Sequence, residues 1–517
     1  MFKLCSKSEL FIIDKISANT EEIPTLKSLM ELCRDFEYEV LCGSMDKTYT
    51  EFVTDNRKLA KGCVYVCIKG ANFDGHTCVG QAVAAGAALI VVERDRSEIE
   101  CPDDTKDTTI IKVESTRAAM AYISCAHYDY PAKELVTIGI TGTKGKTTTT
   151  YLIRSILEQA GRKVGLIGTI ETIIGEEHKP AANTTPDSPA LHKMLRQIVD
   201  CGCDTVVMEV SSQGLMLHRT LGINYDIGIF TNIEPDHIGP NEHTDFEQYL
   251  ACKAMLFRQC KTGIVNADDK HIDSILRDST CDVIKYGFKE GLDYSAKNVK
   301  FVGEGSHLGM EFDVCGRANY PVRINMPGRF SVYNGLCAVA VCDVLGIDAV
   351  TVQNVLPKGH VKGRIEPVKV SDDFTLLIDY AHNAMALESL LTTLREYNPA
   401  RLVCLFGCGG NRSRDRRFEM GEVSGRLADF TVITSDNPRY EDPMDIIADI
   451  ETGISKTSGK YIKIPDRKDA IRYCIRNGKK GDIIVLAGKG HEDYQEIKGV
   501  KHPMDERVLI AEILAEK

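Results

Sequence analysis

Long apolar runs are missing from this sequence. In 517 residues none approaches the roughly 18 apolar positions that a membrane-spanning helix requires. An excess of positive charge is missing too: 63 Lys and Arg face 74 Asp and Glu, for a formal net charge of −11. Nonspecific nucleic-acid binding is therefore not expected, and an anionic ligand must be held by local Lys and Arg clusters and helix N-termini. The 19 cysteines are scattered and contain no Cys-x-x-Cys pair. That disfavours a disulfide scaffold or a structural zinc site and predicts small reduced thiols. Phe2-Lys3-Leu4-Cys5, followed at once by charges, lacks the apolar core of a signal peptide, so a cytoplasmic location is expected. With 43% hydrophobic and 26% charged residues, disorder is not indicated. At about 150 residues per domain, the length predicts roughly three domains.

The most informative stretch is Ile138-Gly139-Ile140-Thr141-Gly142-Thr143-Lys144-Gly145-Lys146-Thr147-Thr148. The β-branched run 135–140 predicts a buried strand, and 147–160, with Leu152, Ile153, Ile156, Leu157 and Ala160 on one face, predicts the following helix. Strand, glycine turn and helix N-terminus form a phosphate cradle. Gly142 and Gly145 let backbone N–H groups close on an anion, Lys146 can neutralise outer phosphates, and the Thr147 hydroxyl can hold Mg²⁺. Ile140 stands where the strict spacing asks for its first glycine, so the motif is a shortened Gly-x-x-Gly-Lys-Thr.

Before this loop, Val64, Val66 and Ile68 alternate with Tyr65, Cys67 and Lys69 as the two faces of a strand, and 82–88 then 89–92 read as helix then strand. After it, Thr205-Val206-Val207-Met208-Glu209-Val210 is a buried-strand pattern ending in a carboxylate, at the edge where an open parallel sheet binds ligands. Glu209 is placed either as a metal- or water-orienting acid or as a partly exposed strand glutamate. His237, in the turn Asp236-His237, is a second-metal ligand or a loop histidine. Lys253 lies in the apolar helical stretch Tyr249-Leu250-Ala251-Cys252-Lys253-Ala254-Met255-Leu256-Phe257, where a lysine ordinarily snorkels to solvent. If buried it would need neutralising, and carbamylation by CO₂ is one route. Further on, strands at 376–378, 402–406, 432–434 and 483–486 each run into a polar loop. One of these loops is glycine-rich and followed by Arg412, Arg414, Arg416 and Arg417, which reads as a second anion site or as a solvated basic face.

Thr141-Gly142-Thr143-Lys144-Gly145-Lys146-Thr147-Thr148, Asn183-Thr184-Thr185-Pro186, Glu209-Val210-Ser211-Ser212, Asp236-His237, Lys253, Gly328-Arg329-Phe330, Gly363-Arg364-Ile365-Glu366, Asp379-Tyr380-Ala381-His382, Gly407-Cys408-Gly409-Gly410 and Gly488-Lys489-Gly490-His491-Glu492 together resemble the Mur ligases. These are the ATP-dependent amino-acid-adding enzymes of peptidoglycan synthesis, and the likeness is to their tripeptide-forming branch. It implies an α/β chain of three domains: a small N-terminal UDP-binding domain (1–133), a central P-loop parallel-sheet ATPase domain (134–356) and a C-terminal Rossmann-like, amino-acid-binding domain (357–517). The implied reaction adds meso-diaminopimelate to UDP-N-acetylmuramoyl-L-alanyl-D-glutamate, with ATP and Mg²⁺; L-lysine as acceptor, or a non-catalytic nucleotide-binding paralogue, are the alternatives.

Carried onto this sequence, the resemblance places Gly142, Thr143, Lys144, Gly145, Lys146, Thr147, Thr148, Asn334, Arg364, Asp379 and His382 at ATP. It places Asp55, Asn56, Arg57, Ala71, Asn72, Asn183, Thr184, Thr185, Ser211 and Arg219 at the UDP-muramoyl-dipeptide. Arg412, Asp436, Asn437, Pro438, Arg439, Gly488 and Glu492 fall at the amino acid. Thr147, Glu209, His237 and a carbamylated Lys253 serve the metal, with Lys146, Glu209, His237 and Lys253 as the catalytic set. The implied partners are small-molecule substrates alone, without nucleic acid or a membrane span, and a monomer is expected. Asn56, Gln213, Leu217, 238–243 and 383–385 depart from the family's usual pattern.

Overall fold

Strands that are apolar on both faces belong in the middle of parallel sheets covered by helices, and this chain builds such sheets repeatedly. The computed structural model describes residues 27–70, 72–99, 107–236, 238–239, 242–304 and 307–516. The fold is of the α/β class, and the chain divides into one compact unit ending at His127 and another beginning at Tyr128.

In the first unit, parallel strands Phe52–Val53, Val64–Val66, Leu89–Val92 and Thr109–Lys112 lie side by side, with Glu39–Cys42 added antiparallel at the Thr109–Lys112 edge. Val64, Tyr65 and Val66 are all buried, so both faces of that strand are covered. The helix expected over 82–88 spans Val79–Ala84 instead. Gly86, at φ +78°, ends it: Gly86 N–H and Ala87 N–H turn back to the carbonyls of Val83 and Ala82.

The second unit holds two larger sheets. In the first of these, parallel strands run in the order Asp282–Gly287, Cys260–Asn266, Tyr225–Phe230, Val136–Thr141, Thr205–Glu209, Val164–Ile167. Further strands extend both ends: on one side Glu171–Ile174 and Glu177–Pro180, antiparallel, and on the other the long Tyr294–Glu304, parallel to Asp282–Gly287, followed by His307–Gly316 and Tyr320–Ile324, antiparallel. The helix Lys146–Gln159 follows the central strand and buries Leu152, Ile153, Ile156 and Leu157 in a core shared with the apolar helix Arg329–Val344. The other sheet orders Glu366–Val368, Thr375–Asp379, Asp482–Ala487, Arg401–Phe406, Phe430–Ile433 and Tyr461–Lys463, parallel except for the first. Loops at the C-terminal ends of parallel strands share one edge, which is how residues far apart in sequence meet below. Among the described residues no helix is long and apolar enough to cross a membrane. The described cysteines are free, and most are buried.

Candidate active site

A cleft of about 780 Å³ opens along the C-terminal edge of the central sheet. Its floor is the loop 142–145. Gly142 sits at φ +148°, and an added Cβ would lie 1.9 Å from Thr231 Oγ1; at Gly145, φ +87°, it would lie 2.7 Å from Asn334 Oδ1. Glycine is the residue both places accept. The turn after the neighbouring strand clamps the loop: Thr143 N–H donates to Asn232 O (2.9 Å), Lys144 N–H to Asn232 Oδ1 (2.9 Å), and Thr231 Oγ1 to Lys144 O (2.7 Å). The helix Lys146–Gln159 begins at Gly145 with no side-chain cap. Its first-turn N–H groups thus face the cleft as a ready anion site. Thr143, Lys144, Gly145, Lys146, Thr147 and Thr148 all line it.

Two lysines converge beneath this loop. Lys146 Nζ donates to Gly142 O (2.8 Å) and Thr143 O (3.1 Å), and Lys253 Nζ donates to the same Gly142 O (2.9 Å). Lys253 is 1% exposed, so it does not snorkel, as the apolar helical stretch alone had suggested. The helix Phe246–Ala254 turns that side chain inward, over the Tyr249 ring (4.5 Å), toward the loop. Burial first, and the Lys146 charge second, push the Lys253 pKa well below that of an ordinary lysine, with Asp236 opposing. Burial also lowers Lys146, against the pull of Glu209.

Glu209, 1% exposed, is the hub on the other side. It accepts from Thr147 Oγ1 (3.1 Å), Thr169 N–H (2.8 Å) and Thr169 Oγ1 (2.9 Å). The partly exposed alternative is therefore not what the fold does with it. Its backbone carbonyl accepts from Thr185 Oγ1 (2.9 Å), which in turn accepts from Ser211 N–H (2.9 Å), while Arg219 Nη1 donates to Thr185 O (2.8 Å). Asn183, Thr184, Thr185, Ser211 and Arg219 form this wall, and Gln213, one of the departures, lines it as well. Arg219 also pairs with Asp187 (2.7 Å).

The facing wall comes from the second sheet and its loops, with Asn334 added from helix Arg329–Val344. Asn334, Arg364, Asp379 and His382 all line the cleft. Asp379 accepts from Ile365 N–H (2.8 Å) and Ala381 N–H (2.8 Å), which pins the 363–366 turn. Burial raises its pKa, and Arg364 and these two N–H groups oppose the rise. Arg364 lies over the Tyr380 ring (4.9 Å), and its Nε has no hydrogen-bond partner among the described residues. His382, at the exposed lip, donates from Nδ1 to Tyr380 O (2.9 Å).

The residues that the resemblance assigned to the amino acid lie beside this wall, outside the 780 Å³ cleft. Gly488 N–H donates to Asp379 O (3.0 Å), so the two groups share a strand edge. Lys489, 0% exposed, donates to Asn437 Oδ1 (2.9 Å) and Glu492 Oε2 (2.8 Å), and Asp436 lies 3.9 Å away. Asn437 Nδ2 reaches the same Glu492 oxygen (2.9 Å). The carbonyl of Pro438 packs on Gly410, where a Cβ would sit at 1.9 Å. Arg412 and Arg439 flank Gly409, at 3.8 and 3.2 Å from a Cβ placed there. The arginine cluster is thereby sorted: Arg414 and Arg417 are bound by Asp449, and Arg417 also by Glu441, whereas Arg412 is exposed with no ion pair among the described residues.

With this geometry in hand, the comparisons decide the family. Residues 48–128 match the Mur ligase family, catalytic domain; 140–342 match the Mur ligase middle domain; and 363–490 match the Mur ligase, glutamate ligase domain. UDP-N-acetylmuramoyl-L-alanyl-D-glutamate--2,6-diaminopimelate ligase of Caldanaerobacter subterraneus subsp. tengcongensis is 41% identical over 490 residues, 94% of this chain and 99% of that one. The chain belongs to the Mur ligase family. A solved structure of a UDP-N-acetylmuramoyl-L-alanyl-D-glutamate--2,6-diaminopimelate ligase is 27% identical with a TM-score of 0.69, covering 95% of this Mur ligase and 99% of its own chain. The MurF ligase of Thermotoga maritima in complex with ADP shares the fold at 18% identity and TM-score 0.54, covering 90% of this chain and 96% of that one.

In the first unit of this Mur ligase, Asp55 caps the short turn Asn56–Lys58, accepting from Arg57 N–H (3.0 Å), Nε (2.9 Å) and Nη2 (2.8 Å). Those contacts hold its carboxyl down at about 2. Asn72 is exposed; Ala71 and His237 lie outside the described residues. Thr169, Asn232, Tyr249 and Lys489 were not singled out from the sequence as site residues, yet they hold the loop, Glu209, Lys253 and Glu492. Thr169, Asn232 and Lys489 stand within three residues of a strand's C-terminal end, the signal that found Glu209.

Proposed function

We propose that this Mur ligase joins 2,6-diaminopimelate to UDP-N-acetylmuramoyl-L-alanyl-D-glutamate at the expense of ATP, releasing ADP and phosphate, in peptidoglycan synthesis. The observation that carries the reading is one cleft that sets an uncapped helix N-terminus, with Lys146 and Thr147, across Glu209 from the wall of Thr185, Ser211 and Arg219. A nucleotide triphosphate on the first places its terminal phosphate beside a carboxylate held by the second. The glutamate side-chain carboxylate of the dipeptide attacks the γ-phosphorus, ADP leaves, and an acyl phosphate remains. The amine of the incoming amino acid then attacks the acyl carbon and phosphate departs. Lys146 and Arg364 oppose the negative charge gathering on the phosphoryl oxygens.

The oxygen donors Thr147 and Glu209 fit a hard cation such as Mg²⁺. A second Mg²⁺ is assigned to His237 and a carbamylated Lys253, on resemblance alone. When bound, Mg²⁺ supplies charge neutralisation at the phosphates. Asn334, Asp379 and His382 are read as the adenosine-side wall, and Asp55, Asn56, Arg57, Ala71 and Asn72 as the uridine side. The three segments are read as domains 1–133, 134–356 and 357–517. Diaminopimelate is read from Arg412 and Arg439, which suit the distal carboxylate, with Glu492 for the distal ammonium; the meso isomer is assigned on the resemblance of the 436–439 motif. L-Lysine would leave that arginine pair without its carboxylate, a penalty of roughly 1–3 kcal/mol. The reading implies the cytoplasm, where ATP and nucleotide-linked precursors are held, and a monomer.

An acceptor panel tests this: ATP, the UDP-linked dipeptide and each candidate amino acid, with ADP release and product mass measured. Diaminopimelate is expected to give the fastest ADP release and a product heavier by one diaminopimelate residue. Faster turnover with lysine, or a Lys146→Ala variant that still releases phosphate at the parental rate, would overturn the assignment.

A further inference from the structure

The loop 436–439 is held by a neighbour that has no place in the proposed reaction. Strand Tyr494–Ile497 pairs with Val500–Pro503 as a two-stranded hairpin, turning through Lys498 and Gly499 at φ +50° and +79°. One rung of that strand lies against the loop. Arg439 N–H donates to Glu496 O (3.0 Å), Lys498 N–H to Arg439 O (2.6 Å), and Glu496 N–H to Asn437 Oδ1 (2.9 Å). Arg439 is thereby kept at φ +52°, a left-handed backbone that arginine rarely adopts. The Glu496 carboxylate adds a contact of a different kind: Oε2 accepts from Arg439 Nε (3.2 Å), while Nη1 donates to Gly410 O (2.7 Å). Both side chains are about a quarter exposed, at 22% and 24%.

A guanidinium offers a second carboxylate either its Nε/Nη side or its terminal Nη/Nη edge. Glu496 occupies the Nε side and Gly410 one terminal hydrogen, so the remaining donors all belong to the Nη end. We infer that Glu496 is a specificity-determining positioning residue. Its carboxylate turns the Nη end of Arg439 toward the distal carboxylate of the incoming amino acid and stops the side chain from swinging away. The inference rests on the diaminopimelate reading above. It adds that discrimination against acceptors lacking the distal carboxylate depends on a residue that need not touch the substrate. Lysine, which makes no use of Arg439, is indifferent to Glu496.

The backbone rung survives substitution of Glu496 by alanine or glutamine, because it uses the N–H and carbonyl of that residue. Glu496→Ala and Glu496→Gln are therefore compared with the parent for KM and kcat toward diaminopimelate, L-lysine, ATP and the UDP-linked dipeptide. In Glu496→Ala the KM for diaminopimelate is expected to rise about tenfold, more than kcat falls, with preference over lysine shrinking by a similar factor. Glu496→Gln, which keeps an acceptor for Nε, is expected to recover part of the loss. The values for ATP and the dipeptide should stay within about twofold. Unchanged discrimination between diaminopimelate and lysine in Glu496→Ala would overturn the inference. So would a parallel rise of every KM, which marks a structural role. The parent enzyme, run alongside, answers separately whether diaminopimelate is the acceptor at all.

Discussion

Lys253 is the side chain whose surroundings depart furthest from its intrinsic chemistry. A buried ammonium whose hydrogen bond among the described residues goes to one carbonyl, with a second lysine on the same oxygen, is driven toward the neutral amine. The neutral amine is the form that adds to CO₂, and the resulting carbamate is an anion that fits beside Lys146. With ¹³C-bicarbonate at neutral pH, the protein is expected to show a carbamate carbon resonance that disappears in Lys253→Arg. Arginine stays cationic, so that variant is also expected to lose at least 100-fold in kcat. Absence of the resonance from active parent enzyme would remove the carbamate from the account. The carbamate was legible only as a conditional, because in the 249–257 stretch a lysine at helical spacing reads first as a solvated end and nothing local shows that it is buried. The groups that set its state, Gly142 and Lys146, lie more than a hundred residues earlier. Gly142 and Gly145 themselves were legible, because a turn that must accept positive φ and a close neighbour leaves few other choices.

The elements that carry the 436–439 and 488–492 loops are tied together by a buried ion pair. Arg467, at the start of helix Arg467–Asn477, donates through Nε (3.0 Å) and Nη2 (2.8 Å) to Glu506 Oε1, at the start of helix Glu506–Ala515. The same guanidinium reaches Ser435 O (3.2 Å) and Ala487 O (3.0 Å), the carbonyls from which the 436–439 and 488–492 loops depart. Burial raises the Glu506 pKa and Arg467 opposes it. Removing one partner strands the other charge, so Glu506→Ala is expected to cost about 3–5 kcal/mol in denaturant unfolding. Replacing both, as Arg467→Met with Glu506→Leu, should restore most of that. A double variant no more stable than the single one would mean the pair does more than neutralise itself. Strands such as 205–209 and 402–406 were legible because a short continuous apolar run is what a strand covered on both faces requires, and both are buried throughout. The antiparallel extension Glu177–Pro180 was not, since all four residues are exposed and their pattern is that of a polar loop.

Across the whole molecule, an acidic chain of net charge −11 keeps several cations and imidazoles away from water, and this sets how it answers acid. His192, 1% exposed in helix Ser188–Asp200 of the central part, and His491, in the loop after strand Asp482–Ala487, are both pulled from the usual 6.5 to about 4, in each case first by burial. Arg364, Lys362 and Arg507 add to the effect at His491. A depressed folded-state pKa means that between pH 6.5 and 4 the unfolded chain binds protons that the folded chain refuses. Stability from these groups is then present above pH 6.5 and is lost as pH falls toward 4, at up to roughly 1.4 kcal/mol per pH unit for each histidine. Thermal or urea unfolding of the parent between pH 7.5 and 5 is expected to show that decline. His192→Gln, which has no proton to take up, should flatten it by about one proton's worth while leaving the cleft residues in place. If the variant and the parent fall in parallel across that window, His192 takes up its proton at the same pH folded and unfolded, and its burial does not exclude the charge.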